Sequence, residues 1–237
     1  AACAPAAPTA SEPAAPEASA TEAVAEAPAE APAEAPAAVA GEPMALTCAE
    51  PIKVGLITDA SGALAIYGAH ILRSFMLGME YTAGAPGSAG EKFDFAQAQE
   101  NTFTFGDCTV QVFVRDDKST PDTTAAVARE LIDIEQVDVL VGTVSSGATA
   151  TLQGIAAESK IPLIVAPAAA NDITGVNFNE YTFRTSRTNY QDAMNLCEYL
   201  PTQYSTLVQI APDYNFGWGS AAAFRDSCTL NGGEFVA

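Results

Sequence analysis

The sequence is short of the residues that most enzymes and nucleic-acid binders depend on. Its 237 residues contain one histidine, His70, so a His-rich metal site is excluded. The five cysteines include no Cys-x-x-Cys pair and match no zinc spacing. Neither a Gly-x-Gly-x-x-Gly fingerprint nor a Walker-type phosphate loop follows the first apolar strand, and no cofactor is implied. Lys and Arg together number 10 against 29 Asp and Glu, a net charge of −19. That surface argues against nucleic acid as a partner, because phosphate binding needs a basic face. Ser145 and Ser146 have no histidine in view to act as their base, and no lysine lies in the loops after the first, third or fourth core strands. His70 has no carboxylate or nucleophile at a suggestive spacing. Catalysis is not expected.

Residues 4–47 lack aromatic residues altogether, and no Lys or Arg precedes Lys53. They are almost all Ala, Pro and Glu, and cannot bury enough apolar surface to offset the entropy of ordering. Residues 1–47 therefore read as a disordered spacer, on the order of 130 Å if fully extended at about 3.1 Å per residue. The opening Ala1-Ala2-Cys3 looks like the end of a bacterial lipoprotein signal peptide, with Cys3 the lipid-bearing residue. A cysteine followed at once by a flexible spacer suits a domain tethered to a membrane by a lipid anchor. The other four cysteines, Cys48, Cys108, Cys197 and Cys228, are an even set that suggests disulfides in an exported protein.

From residue 52 onward, apolar strands alternate with helical patterns. Residues 52–57 read as the first strand, with a loop of small residues after it. A helix over about 68–81 buries Ile71, Phe75, Met76 and Met79. Residues 84–107 are expected to be a surface excursion. A strand over 108–115 follows, then a helix to about 135 with Ala126, Val127, Leu131 and Ile134 inward. Residues 137–141 and 163–165 are short β-branched runs flanking a helix over about 148–159, which makes a βαβ unit with parallel strands. Its first loop, Gly142 to Gly147, offers Ser145 and Ser146 at a helix start. Its second is Ala166-Pro167-Ala168-Ala169-Ala170, small enough to leave backbone groups accessible. Ligands of parallel sheets bind at such strand ends. A strand over 181–184, a helix with Ala193, Leu196, Cys197 and Leu200 on one face, a strand over 205–211 and a helix over about 220–229 complete the order. Trp218 is expected to be buried scaffolding. Residues 234–237 start a strand that stops, so the molecule is expected to continue. The class is α/β, a doubly wound parallel sheet.

The motifs IKVGLITDASGALAIYG, DDKSTPDTTAAVARELI, VDVLVGTVSSGATATLQGIAAESKIPLIVAPAAAND, YTFRTSR and APDYNFGWGSAAAF, in this order, resemble the periplasmic type I solute-binding proteins. The likeness is to the leucine/isoleucine/valine-binding-like branch that serves ABC importers. It implies a two-lobed clamshell, with residues 48–184 as the first lobe and 185–237 as an incomplete start of the second. The solute it implies is a branched-chain amino acid, a related amino acid or a short amide, and the partners are ABC permease subunits. A ligand-sensing receptor domain of the same fold is the alternative. The family pattern carries ligand contacts onto Tyr67, Ser145, Ser146, Ala168, Ala169, Ala170 and Phe216. Amino-acid binders often have a hydroxyl residue where Ala170 stands and a tyrosine where Phe216 stands, so aromatic acids also remain open. The family's sheet order, which makes the first two strands neighbours, implies a Cys48–Cys108 bridge. Cys197–Cys228 would then pair the helices on either side of the 205–211 strand.

Overall fold

A computed structural model describes residues 47–85 and 94–236. The spacer over 1–46 and the lipidation expected at Cys3 lie outside the described residues.

Six strands form one sheet: β1 (Ile52–Thr58), β2 (Glu100–Phe105), β3 (Cys108–Asp116), β4 (Val139–Val141), β5 (Leu163–Val165) and β6 (Thr182–Arg184). Their order is β2-β3-β1-β4-β5-β6, parallel throughout except for the antiparallel β2–β3 pair. Strand β1 has β3 on one side and β4 on the other, so the direction of winding reverses there. All five parallel strands end on one edge, and the reversal opens a crevice on it.

Alternation along the strands decides which helix covers which face. Val54 and Leu56 of β1 meet Ile71, Leu72 and Met76 of α1 (Ala65–Thr82) in one core. Ile57 faces the other way, into a core with Leu131 of α2 (Pro121–Asp133) and Leu152 and Ile155 of α3 (Ser146–Ser159). Gly55 lies on that second face because a side chain there would press on Leu131 and Leu140, each 3.0 Å from its Cβ position.

The remaining elements are α4 (Asn189–Cys197), α5 (Leu200–Gln203), β7 (Thr206–Leu207), α6 (Asn215–Leu230) and β8 (Glu234–Phe235). Strands β7 and β8 form a separate two-stranded parallel sheet. Disulfides join Cys48 to Cys108 and Cys197 to Cys228.

Several expectations need correction. The excursion over 84–107 contains β2, whose Asn101, Phe103 and Phe105 are buried while Glu100, Thr102 and Thr104 are exposed. This is a period-two signal masked by the Gly- and Ala-rich stretch before it. The inner face of α2 is Thr124, Ala128 and Leu131; Ile134 follows the helix and is 73% exposed. Helix α4 stops at Cys197 and leaves Leu196 exposed, so Leu196 does not share the buried face of Ala193 and Cys197. The strand expected over 205–211 pairs only at Thr206 and Leu207. Helix α6 begins at Asn215, five residues before the expected start. Trp218 is 60% exposed, its Nε1 donating to Asp213 Oδ1 at 2.8 Å, so it is not buried scaffolding.

Candidate functional site at the strand ends

Three loops on the crevice edge are locked by aspartates. The carboxylate of Asp59, after β1, accepts from the N–H groups of Gly62 and Leu64 and from Ser119 Oγ. Asp116, at the end of β3, accepts from Ala60 N at 2.8 Å and Ser61 Oγ at 2.6 Å. Burial opposes ionisation of Asp116, but these bonds and that from Lys118 N outweigh it and hold the carboxyl below its usual range. Asp117 is fully buried and accepts from Thr143 Oγ1 at 2.6 Å, Ser119 N at 2.9 Å and Thr124 Oγ1 at 3.1 Å. Burial, with a smaller push from Asp59, raises its carboxyl above the usual range against the pull of those bonds.

These signs fix a pH dependence. Asp117 is easier to protonate folded than unfolded, so its contribution is complete below the ordinary carboxyl pKa and declines as pH rises through the raised value. Asp116 runs the other way: its contribution is present above the ordinary carboxyl pKa and is lost as pH falls through the depressed one. Asp117→Ala leaves Thr143 Oγ1 and Ser119 N without an acceptor, while Thr124 Oγ1 keeps Thr120 O at 2.7 Å, and should cost about 3 kcal/mol in urea unfolding of the intact protein. Asp117→Asn keeps one acceptor, removes the buried charge and should cost about 1 kcal/mol. Equal losses in the two variants would refute this account of the aspartate.

Thr143 connects that anchor to the loop after β4. Ser145 caps α3, its Oγ accepting from Ala148 N at 3.4 Å, and its own φ and ψ are extended as a cap requires. Ser146 is 2% exposed, and its Oγ accepts from Ala170 N at 3.3 Å. That bond ties the start of α3 to the loop after β5, where Ala168, Ala169 and Ala170 are all buried. Ser145, Ser146 and the three alanines are thus brought together, as the spacing of the two loops requires.

The aromatic residues come from two directions. Tyr67, in the first turn of α1, is 54% exposed and lies edge-on to His70, with ring centroids 6.5 Å apart. His70 is itself exposed and has no carboxylate partner among the described residues. Phe216 is partly buried, 6.1 Å from Tyr214 between ring centroids. Burial, and then the electrostatic influence of Tyr67, push the Tyr214 phenol above its usual range. Tyr214 is not among the residues the sequence singles out. The only cue to it was its place in the Tyr-Asn-Phe run ahead of α6. Asn215 comes near Gly147: its Oδ1 lies 3.5 Å from the position a Cβ there would take. A mostly apolar groove of about 490 Å³ runs from Tyr67, Pro167 and Thr185 down the sheet to Val141 and Ile164.

Asn189, at the start of α4, joins the two sides of the crevice. Its backbone N–H donates to Ala169 O at 2.8 Å and its side chain donates to Phe216 O at 2.9 Å. No cluster of His, Cys, Asp and Glu able to hold a metal ion occurs among the described residues.

A doubly wound sheet whose strand-end loops face the start of a second α/β segment is the architecture of a type I periplasmic binding protein. The family model described as "Periplasmic binding protein" matches residues 51–237, and the chain belongs to that family. A Leu/Ile/Val-binding protein homolog 6 from Brucella abortus (strain 2308) is 28% identical over 187 residues, covering 78% of this chain and 43% of that protein. An ABC-type branched-chain amino acid transporter from Rhodopseudomonas palustris CGA009 superposes with a TM-score of 0.59 at 31% identity, over 78% of this chain and 45% of that one. A solute-binding protein of an ABC transporter from Rhodopseudomonas palustris BisB5, solved with 3,4-dihydroxybenzoic acid, gives a TM-score of 0.62 at 25% identity. The match covers 78% of this chain and 46% of that one. The chain therefore spans less than half the length of these relatives. No described helix is long and apolar enough to cross a membrane.

Proposed function

We propose that this chain belongs to an extracytoplasmic solute-binding component of an ABC importer, which closes two lobes over a small solute and presents it to the permease. Residues 48–184 serve as the first lobe and 185–237 open the second. Cys3 serves as the site of a lipid anchor, with residues 4–47 as its tether. One observation carries the reading. The start of α3 and the loop after β5, two backbone segments of small residues, are bonded together through Ser146 and Ala170 beside aromatic residues from α1 and α6.

The solute contacts fall to Ser145, Ser146, Ala168, Ala169 and Ala170 at its polar end, and to Tyr67 and Phe216 along its body. Ser146 Oγ accepts one bond and keeps its own proton to donate. The aromatic acid bound in one neighbour and the branched-chain amino acids for which another is described share a carboxylate, and the same group suits this position. The test is calorimetry of the intact protein, as the cell makes it, against a library of small organic acids, amino acids and amides. Saturable one-to-one binding of at least one is expected. Ser146→Ala should then weaken that binding about five- to a hundred-fold, the loss of one neutral or charge-assisted hydrogen bond. A library with no binder would overturn the solute-capture reading.

A further inference from the structure

Two fully buried aspartates, Asp59 and Asp117, stand at the carboxyl ends of β1 and β3. Neither is in an ion pair among the described residues. The charged groups around them offer no counter-ion. Arg115, two residues back on β3, is taken by Glu130 and Glu135 of α2 and the turn after it. Asp116 is a third carboxylate, already bonded to Ala60, Ser61 and Lys118. Lys118 is exposed, as is Asp122 in the first turn of α2. The loops after β1 and β4 and the first turns of α1 and α3 bring no further carboxylate, lysine or arginine.

The donors to the two carboxylates differ. Asp59 accepts from Gly62 N and Leu64 N, groups that can only donate, and from Ser119 Oγ. Asp117 has one N–H, from Ser119, and it falls on Oδ1. Its Oδ2 meets hydroxyls alone: Thr143 Oγ1 at 2.6 Å and Thr124 Oγ1 at 3.1 Å. Thr143 Oγ1 takes the N–H of Val144 and gives its own proton to Asp117. Thr124 Oγ1 has one proton and two acceptors in reach, Thr120 O at 2.7 Å and Asp117 Oδ2 at 3.1 Å. Spent on the shorter contact, that proton leaves the longer one empty unless Asp117 supplies a proton itself. Two ionised carboxylates in one buried space without a cation also repel each other.

From this cluster we infer that the Asp59–Asp117 pair holds one proton, on Asp117 Oδ2 facing Thr124, and that its loss loosens the loops after β1 and β4. Ser119 joins the two carboxylates directly, with its N–H on Asp117 and its hydroxyl on Asp59. Burial, which raises the Asp117 carboxyl, acts in the same direction. Asp59 fixes the loop that leads to Tyr67, and Thr143 opens the loop that leads to Ser145 and Ser146. The proton is therefore a pH input to the crevice edge, which it holds together when bound and releases as pH rises.

The test is a titration of the intact protein, labelled with 13C at aspartate Cγ, from about pH 3 to about pH 9. The Asp117 carbon should keep the shift of a carboxylic acid after that of Asp116 has become a carboxylate. The amides of Gly62, Leu64 and Val144 should move with the Asp117 carbon. Between the ordinary carboxyl pKa and that midpoint, the unfolding constant should rise by up to about ten-fold per pH unit, the sign of a group that holds its proton more tightly when folded. Asp117→Asn, neutral at every pH, should abolish that rise and keep the three amides at their low-pH positions. Ionisation of Asp117 together with Asp116 would overturn the inference, and that readout needs no variant. A late-titrating proton on Asp59 instead would overturn its placement. Ionisation of Asp117 without movement of Gly62, Leu64 and Val144, or a wild-type pH profile in Asp117→Asn, would overturn the coupling to the loops.

Discussion

In the 237-residue chain, removing the Cys197–Cys228 bond should release α4, β7, α6 and β8 while the six-stranded sheet stays folded. The buried apolar side chains of these four elements are few: Ala193, Cys197, Ala223 and Cys228, two of which are the half-cystines themselves. The sheet joining β7 to β8 has only two residues in each strand. Exposed around it are Val208, Ile210 and Leu230, which contribute nothing to its core. A bond that closes a 31-residue separation contributes about 3.7 kcal/mol by chain entropy, which exceeds what two alanines can supply. In the Cys197→Ser, Cys228→Ser double variant, amides of α4 and α6 should exchange with solvent about 100-fold faster or more, whereas those of β1, β3 and β4 keep their protection. Cys48–Cys108, with a separation of 60, ties the chain ahead of β1 to β3, so its loss should lower stability of the main sheet instead. Uniformly faster exchange in both regions of the double variant would show that the regions unfold as one unit.

Gly68→Ala should cost about 3–5 kcal/mol, a loss well above that of an ordinary glycine in a helix. A Cβ at position 68 would stand 1.7 Å from the carbonyl oxygen of Asp59 and 2.6 Å from its carbon, both backbone atoms. Asp59 cannot yield, because its carboxylate is already fixed by Gly62, Leu64 and Ser119, and Thr58 Oγ1 donates to Gly68 O at 3.0 Å. Helix α1 would have to move away from β1 and take Tyr67 with it, so solute affinity should fall along with the melting temperature. Gly78, on the same helix, is the control. Nothing lies within 4 Å of its Cβ position, and Gly78→Ala should stabilise by about 0.5–1 kcal/mol. Parallel changes in the two variants would mean that helix propensity, not the contact with Asp59, governs Gly68.

The two glycines look alike in the sequence, and that limit recurs across the chain. Apolar runs of β-branched residues marked β1, β3, β4 and β5, because a strand buried on both faces must be apolar on both. The helices between them were legible from their periodicity, and with them the doubly wound parallel class. The small-residue loops at Gly142 to Gly147 and Ala166 to Ala170 were legible too, since only loops tolerate such a composition after a core strand. β2 was not, although Thr102-Phe103-Thr104-Phe105 alternates cleanly, because an edge strand takes its identity from its partner β3. The start of α6 was lost for a similar reason: Asn215 to Gly219 turns helical where Gly217 meets the carbonyl of Pro212, a contact with no local signature.

What the sequence determined by itself was the layering, through hydrophobic pattern, and the types of residue offered at the strand ends. Which of those residues stay free to bind was decided only by the tertiary structure. Arg184, Ser186, Arg187 and Asn189 read as a polar connection after β6, and no spacing rule says that they will cover the carbonyls of the loop after β5. They do so because β6 runs parallel beside β5, so that the chain leaving β6 passes along that loop. Tyr214, just ahead of α6, comes within electrostatic reach of Tyr67 in the first turn of α1 in the same way. Hydrogen-bond satisfaction is a property of neighbours in space, and here those neighbours lie roughly 15 to 150 residues apart along the chain.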